Sequence, residues 1–144
     1  MIFIDTGPFL GRHVARDQYH ETAVAGFSRL EADRLPIVTS NFVLDETFTL
    51  LGRVAGHRFA AARARAIYGS EALTILRPGR EEEIEALDLF EKFADQGVSY
   101  TDCISFVLMR RNRIRRVFTF DQHFARAGFD VWVCTTKSKR NRER

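Results

Sequence analysis

Residues 36–46 read PIVTSNFVLDE, and this stretch decides the fold. Residues 37–39 are β-branched and follow a proline, which predicts a short strand ending at Ser40. Ser40 or Asn41 can then cap the helix that begins there. The buried face of that helix is expected to hold Val43, Thr47, Leu50 and Val54. A strand that passes directly into a helix is the repeating unit of a parallel sheet covered by helices.

The same alternation runs through the rest of the chain. Further strands are predicted at residues 1–4, 73–76, 117–120 and 131–134, and further helices at 19–30, 58–68, 81–94, 99–111 and 121–127. The segment from Asp5 to Pro8 is predicted to be a turn because it contains Gly7 and Pro8. The helix at 81–94 is expected to bury Ile84, Leu87 and Phe90. The sequence therefore predicts an α/β fold with a parallel sheet of about five strands, covered on both faces.

Length and composition favour one domain and an anionic partner. A chain of 144 residues with 45% hydrophobic content can fill one core, expected at residues 1–135 and followed by a basic, disordered tail at 136–144. We expect neither a signal peptide nor a membrane span, and Cys103 and Cys134 match no disulfide or zinc pattern. These features favour a protein of the reducing cytoplasm.

The net charge of +3 is unevenly distributed, because arginines crowd residues 110–116 and the tail is basic. This distribution favours an anionic partner.

Four acidic residues follow strands or begin the helices that leave them: Asp5, Glu46, Asp102 and Asp121. Each also has an ordinary structural role open to it. Asp5 can serve the turn, Asp102 can complete a capping box with Ser99, and Asp121 can cap the next helix. Glu46 is preferred as the inward carboxylate over its neighbour Asp45, which lies about 100° around the helix, and periodicity alone does not decide between them.

The shared position of the four acids predicts a metal site. Carboxyl ends of parallel strands meet at one edge of a sheet, where ligands bind. Two unit charges about 4 Å apart repel by roughly 4 kcal/mol at an effective dielectric near 20, so such a cluster needs cations or protons. Hard oxygen ligands indicate Mg²⁺ or Mn²⁺, and these ions suit phosphodiester hydrolysis by water.

The sequence resembles the PIN-domain family, and more narrowly the VapC toxins of bacterial toxin–antitoxin pairs. The resemblance covers nearly the whole chain through Val133 and rests on four ordered motifs: FIDTG at 3–7, TSNFVLDE at 39–46, YTDC at 100–103 and VFTFDQHF at 117–124. One departure is Gly7-Pro8, which replaces the small polar residue that often stands two positions after the first aspartate.

The resemblance implies a three-layer α/β/α sandwich and an RNA substrate. It implies that Asp5, Glu46, Asp102 and Asp121 coordinate Mg²⁺ or Mn²⁺, with Thr6 and Thr119 as neighbours of the acids. It also implies a homodimer and an antitoxin that covers the acidic groove. A PIN nuclease of RNA processing that is not a toxin, or a PIN fold that binds RNA or protein without cleavage, stays open as an alternative.

The remaining candidate residues carry weaker predictions. Phosphates of RNA could be contacted by Arg12, Arg110, Arg111 and Arg113, for which ordinary surface charge is the alternative. The four histidines are predicted to be surface or loop residues, and Cys103 a packed residue. A phosphatase or receiver domain with an aspartate after strand one is disfavoured, because the acids expected beside that aspartate are replaced by Thr6 and Gly7.

Overall fold

The computed structural model describes residues 1–134, which form five strands and seven α-helices. The strands are β1 (Ile2–Ile4), β2 (Ile37–Ser40), β3 (Leu73–Leu76), β4 (Arg116–Phe118) and β5 (Asp130–Val131). The helices are α1 (Thr6–His13), α2 (His20–Ala32), α3 (Asn41–Ala55), α4 (His57–Tyr68), α5 (Arg80–Lys92), α6 (Tyr100–Arg111) and α7 (His123–Arg126). The predicted tail at 136–144 and the domain boundary at 135 lie outside the described residues.

The sheet is entirely parallel and has the order β3-β2-β1-β4-β5. Its central strand β1 pairs through Phe3 with Val38 on one side and with Val117 on the other. Ile2, Phe3 and Ile4 are all fully buried. Because successive side chains of a strand point to opposite faces, helices must cover both faces of the sheet. The predicted α/β/α sandwich is confirmed.

Helix α1 replaces the predicted turn at Asp5 to Pro8. Gly7 and Pro8 are its second and third residues. Amide groups in the first turn of a helix have no partner within the helix, so proline is tolerated there. Asp5 consequently occupies the N-cap position of α1, directly at the end of β1, and its side chain makes no capping hydrogen bond there.

Two predicted helix faces are wrong in part. In α5 the side chains of Ile84, Leu87 and Phe90 are 46%, 51% and 45% exposed, and the fully buried residue is Ala86. The helix approaches α6 through this small side chain. In α3, Val43 and Thr47 are buried as predicted, but the face continues through Leu44 and Leu51 and leaves Val54 exposed. Apolar residues lie on more than one side of both helices, so periodicity alone could not select the packed side.

The last two strands are shorter than predicted, and β5 also begins earlier. Strand β4 ends at Phe118 and leaves Thr119 and Phe120 beyond the sheet, while β5 covers only Asp130–Val131. Thr119 is therefore free of the ladder and turns toward the edge where the predicted acids lie. Among residues 1–134, no helix has the length and apolar character needed to cross a bilayer.

Candidate active site

The four predicted acids line one cavity of about 600 Å³ at the carboxyl edge of the sheet. Asp5 follows β1, Glu46 lies in the second turn of α3, Asp102 lies in the first turn of α6, and Asp121 lies between β4 and α7. Four separate segments thus bring carboxylates to a common opening. The fold explains this convergence, since all its strands run the same way.

Thr119 joins two of these acids. Its hydroxyl donates to Asp5 Oδ2 at 2.8 Å and accepts the backbone N–H of Asp121 at 3.0 Å. On the other side of the cavity, the hydroxyl of Thr6 donates to Glu46 Oε2 at 3.4 Å. Each of the two threonines therefore orients a carboxylate.

The capping roles coexist with the placement of the acids. Ser99 Oγ accepts the backbone N–H of Asp102 at 3.1 Å, which is one half of the expected capping box. The reciprocal bond from Ser99 N–H to the Asp102 carboxylate is not formed in the described part of the chain, and that carboxylate faces the cavity instead. Asp121 Oδ1 accepts the N–H of His123 at 2.9 Å and so supports the start of α7.

Burial and mutual repulsion raise the pKa values of the two most enclosed acids. Asp5 is 6% exposed, and burial raises its pKa to about 6, although the Thr119 hydroxyl works in the opposite direction. Asp102 is 7% exposed, and burial followed by the charges of Asp5, Asp121 and Glu46 raises its pKa to about 8. Like charges crowd the cavity, and a bound cation would relieve that repulsion.

The donor set fits a divalent metal ion. It consists of carboxylate oxygens, which hard cations prefer, and its buried carboxyls gain from a positive charge. Asp102, Asp121 and His123 each bring one donor atom within 4.8 Å of the others. These residues form an acidic cluster that could hold a metal ion.

His123 corrects the prediction that all four histidines are surface or loop residues. It opens α7 and lines the cavity, with Nδ1 at 3.2 Å from Asp121 Oδ1 and 3.4 Å from Asp102 Oδ2. Its position two residues after Asp121, at the start of a helix, was the signal available in the sequence. Cys103 is packed as predicted, and burial raises the pKa of its thiol to about 11, so it is a poor nucleophile.

Asp45 and Glu46 are separated by the fold. Glu46 lines the cavity, whereas Asp45 is exposed on another side of α3. The preference for Glu46 as the inward carboxylate is therefore matched by the placement of the two side chains.

The arginines predicted to contact RNA lie outside this cavity. Arg110 and Arg113 line a separate cavity of about 720 Å³ beside the start of β5, and Arg111 pairs with Glu85 at 2.8 Å. Arg12 lies over the ring of Phe27, 4.6 Å from its centroid. A different arginine, Arg126, lines the acidic cavity and was missed, although it lies one turn beyond His123. Contact of the four predicted arginines with RNA stays a prediction.

Comparisons with known proteins find similar sequences over most of the chain. A sequence model of the PIN domain matches residues 2–130. The 23S rRNA-specific endonuclease VapC20 of Mycobacterium tuberculosis is 38% identical over 130 residues, which are 90% of this chain and 95% of that protein. A VapC ribonuclease of Archaeoglobus fulgidus is 30% identical over 145 residues, covering 96% of this chain and 90% of that protein.

A comparison of folds also finds a VapC protein. The crystal structure of Mycobacterium tuberculosis VapC20, described as a sarcin–ricin loop cleaving toxin, matches with a TM-score of 0.79. The sequence identity in that match is 36%, and it covers 90% of this chain and 96% of the other.

Proposed function

The chain belongs to the PIN-domain family, and from this premise we propose that it is a metal-dependent endoribonuclease and the toxin of a toxin–antitoxin pair. The observation that carries the proposal is the convergence of Asp5, Glu46, Asp102 and Asp121 on one cavity. An ordinary set of turn and cap residues would not need to share an opening. Two relatives of the chain are named as an rRNA endonuclease and a ribonuclease, which supports RNA as the substrate.

The proposed role of the acids is to hold Mg²⁺ or Mn²⁺ and present the scissile phosphate to water. Asp5, Glu46 and Asp102 would anchor one ion, and Asp121 would complete that site or recruit a second ion with the substrate. A bound ion of this kind polarises a phosphoryl oxygen and lowers the pKa of a water molecule. Thr119 holds Asp5 and the backbone at Asp121 in place, and Thr6 holds Glu46. Such support of ligands by neighbouring hydrogen bonds typically matters about 10- to 100-fold.

RNA would enter this cavity between acidic side chains and one arginine. Arg126 is the arginine at the opening and is placed to meet a phosphate beside the acids. Arg12, Arg110 and Arg113 lie beside the starts of strands, at the edge of the sheet opposite the acids, and Arg111 is paired with Glu85, so their predicted phosphate contacts would be outside the cleavage centre. Contacts of this kind add affinity that falls with salt and do not read sequence.

Two protein partners belong to the proposal. The family resemblance supports a homodimer and an antitoxin that covers the acidic groove, both acting in the cytoplasm. The exposed apolar side chains of α5, namely Ile84, Leu87 and Phe90, are surface that a monomer leaves in water. Sedimentation equilibrium checks the dimer, since its mass is about twice the 16.6 kDa of the chain.

The nuclease proposal is tested with labelled RNAs that include a sarcin–ricin hairpin, the loop named for the solved relative. Wild type, Asp5→Asn, Glu46→Gln and the matched control Asp45→Asn are compared with Mg²⁺, Mn²⁺ or EDTA. We expect metal-dependent cutting by wild type and Asp45→Asn, and loss of cutting in the other two. Wild-type rates in Asp5→Asn, with contaminating nuclease excluded, would overturn the site assignment.

A toxin role has its own test. Induced expression of the wild-type chain is expected to arrest growth of a host, whereas Asp5→Asn is expected to leave growth unchanged. Active enzyme that cuts RNA in vitro without affecting growth would favour an RNA-processing nuclease over a toxin.

A further inference from the structure

His123 is held firmly beside two of the acids. Its backbone N–H is bonded to Asp121 Oδ1, and the next residue, Phe124, is fully buried and packs against Phe106 at a ring separation of 5.0 Å. The backbone that carries the imidazole is therefore fixed at the cavity, where the imidazole is 22% exposed. Its Nδ1 points between the carboxylates of Asp102 and Asp121.

The distances suit ligands of a shared ion. Nδ1 lies 3.4 Å from Asp102 Oδ2 and 3.2 Å from Asp121 Oδ1. Adjacent ligands of an octahedral ion with bonds of about 2.1 to 2.2 Å are separated by roughly 3 Å. Only a small adjustment would bring the three donor atoms into one coordination sphere.

We propose that His123 is a nitrogen ligand of the metal on the Asp102–Asp121 side of the cavity and that it biases the site toward Mn²⁺ over Mg²⁺. This inference rests on the proposed metal-dependent function. Imidazole suits transition metals, whereas Mg²⁺ is bound by oxygen donors and gives up its water reluctantly. Carboxylates suit both ions, so a site made only of carboxylates discriminates less between them, and one nitrogen ligand would increase the preference for Mn²⁺.

A purely supporting role for His123 makes a different prediction. If Nδ1–H donates to the two carboxylates, the ring orients the acids but does not touch the ion. Removing the ring would then lower the affinity for both metal ions to a similar extent, and no nitrogen would be detected in contact with the bound ion. The two roles can be separated without RNA.

The experiment measures metal binding to the full chain in the absence of substrate. Electron spin echo spectroscopy of Mn²⁺-loaded wild type reports coordinated nitrogen directly and needs no variant. Titration calorimetry with Mn²⁺ and with Mg²⁺ then compares wild type, His123→Gln and the control His57→Gln, whose histidine is exposed on α4.

We expect a nitrogen coupling in wild type and His57→Gln that is absent in His123→Gln. The Mn²⁺ dissociation constant of His123→Gln is expected to rise at least about 10-fold, while that for Mg²⁺ changes much less. A wild-type spectrum without nitrogen coupling, or equal losses for both ions, would overturn the assignment of His123 and leave the acidic site standing. Failure of wild type to bind either ion would instead overturn the proposed metal site itself.

Discussion

Asp102 is the acid at which burial and the charges of neighbouring carboxylates act together to raise the pKa most. Its carboxylate is nearly enclosed and faces three other acids, which raises its pKa to about 8. Asparagine keeps the shape and removes the charge. We expect Asp102→Asn to lose metal-dependent RNA cleavage by at least about 100-fold, the upper end of the losses seen when groups that merely support a metal ligand are changed.

The same substitution is expected to stabilise the metal-free protein. At pH 9 the wild-type carboxyl is largely ionised among like charges, whereas the amide is neutral. Thermal unfolding without metal at pH 9 should show a Tm a few degrees above that of wild type. A lower Tm with unchanged activity would mean that the Asp102 carboxylate has only a structural role.

Thr119 links two acids through a single hydroxyl. Thr119→Val keeps the size but leaves the Asp5 carboxylate and the Asp121 N–H without this partner. We expect the free energy of unfolding to fall by about 1 to 3 kcal/mol and metal affinity to fall about 10- to 100-fold. Urea unfolding and calorimetry measure the two effects, and Thr74→Val on the exposed side of β3 is the matched control. Equal behaviour of the two variants would contradict the linking role.

At the scale of elements, helix α2 approaches the sheet through a glycine. A Cβ at Gly26 would lie 2.4 Å from Phe118 Cζ. Phe118 cannot swing away easily, because its ring is packed against Phe27 and Trp132 at centroid distances of 5.6 and 5.1 Å. The close contact of α2 with β4 therefore depends on the missing side chain.

We expect Gly26→Ala to lower the free energy of unfolding by about 1 to 2 kcal/mol. Overpacking costs about 1 to 3 kcal/mol, and the helix preference of alanine returns up to about 1 kcal/mol. Urea unfolding compares it with Ser28→Ala, at an exposed position of the same helix. A stabilised Gly26→Ala would show that the helix can shift away from Phe118 at little cost.

For the whole molecule, the acidic cavity makes metal-free stability depend on pH. Folded Asp102 retains its proton up to about pH 8, whereas the unfolded chain releases it near 3.8. The folded state then binds more protons than the unfolded state, so stability falls as pH rises. His13 has the opposite effect on stability, because burial lowers its pKa from 6.5 to about 4. That effect is confined to pH values below about 6.5.

Asp102 dominates in the window from pH 6.5 to 8, because Asp5, with a pKa of about 6, has by then lost most of its proton. We expect unfolding free energy without metal to fall there by about 2 kcal/mol, measured by urea unfolding. Mn²⁺ should remove much of this slope, and Asp102→Asn should lack it. A flat profile for metal-free wild type would contradict the crowding of charges in the cavity.

The sequence by itself was sufficient to predict the alternation of strands and helices and the shared position of the four acids. Both depend on local patterns together with one topological rule, that parallel strands end at the same edge. Asp5 and Asp121 follow β1 and β4, and Glu46 and Asp102 lie near the starts of α3 and α6, so their meeting at one cavity could be predicted without contacts.

Tertiary structure decided what depends on contacts between distant residues. Ala86 rather than Leu87 faces the core because α5 must approach α6 closely, and Gly7-Pro8 enters a helix because it occupies the first turn. The place of His123 beside Asp102 and of Arg126 at the cavity follows from how α7 packs, whereas Arg110 lies in the last turn of α6, away from the cavity. Periodicity gives the spacing of side chains along an element, whereas the packing between elements selects which side is buried and which residues meet.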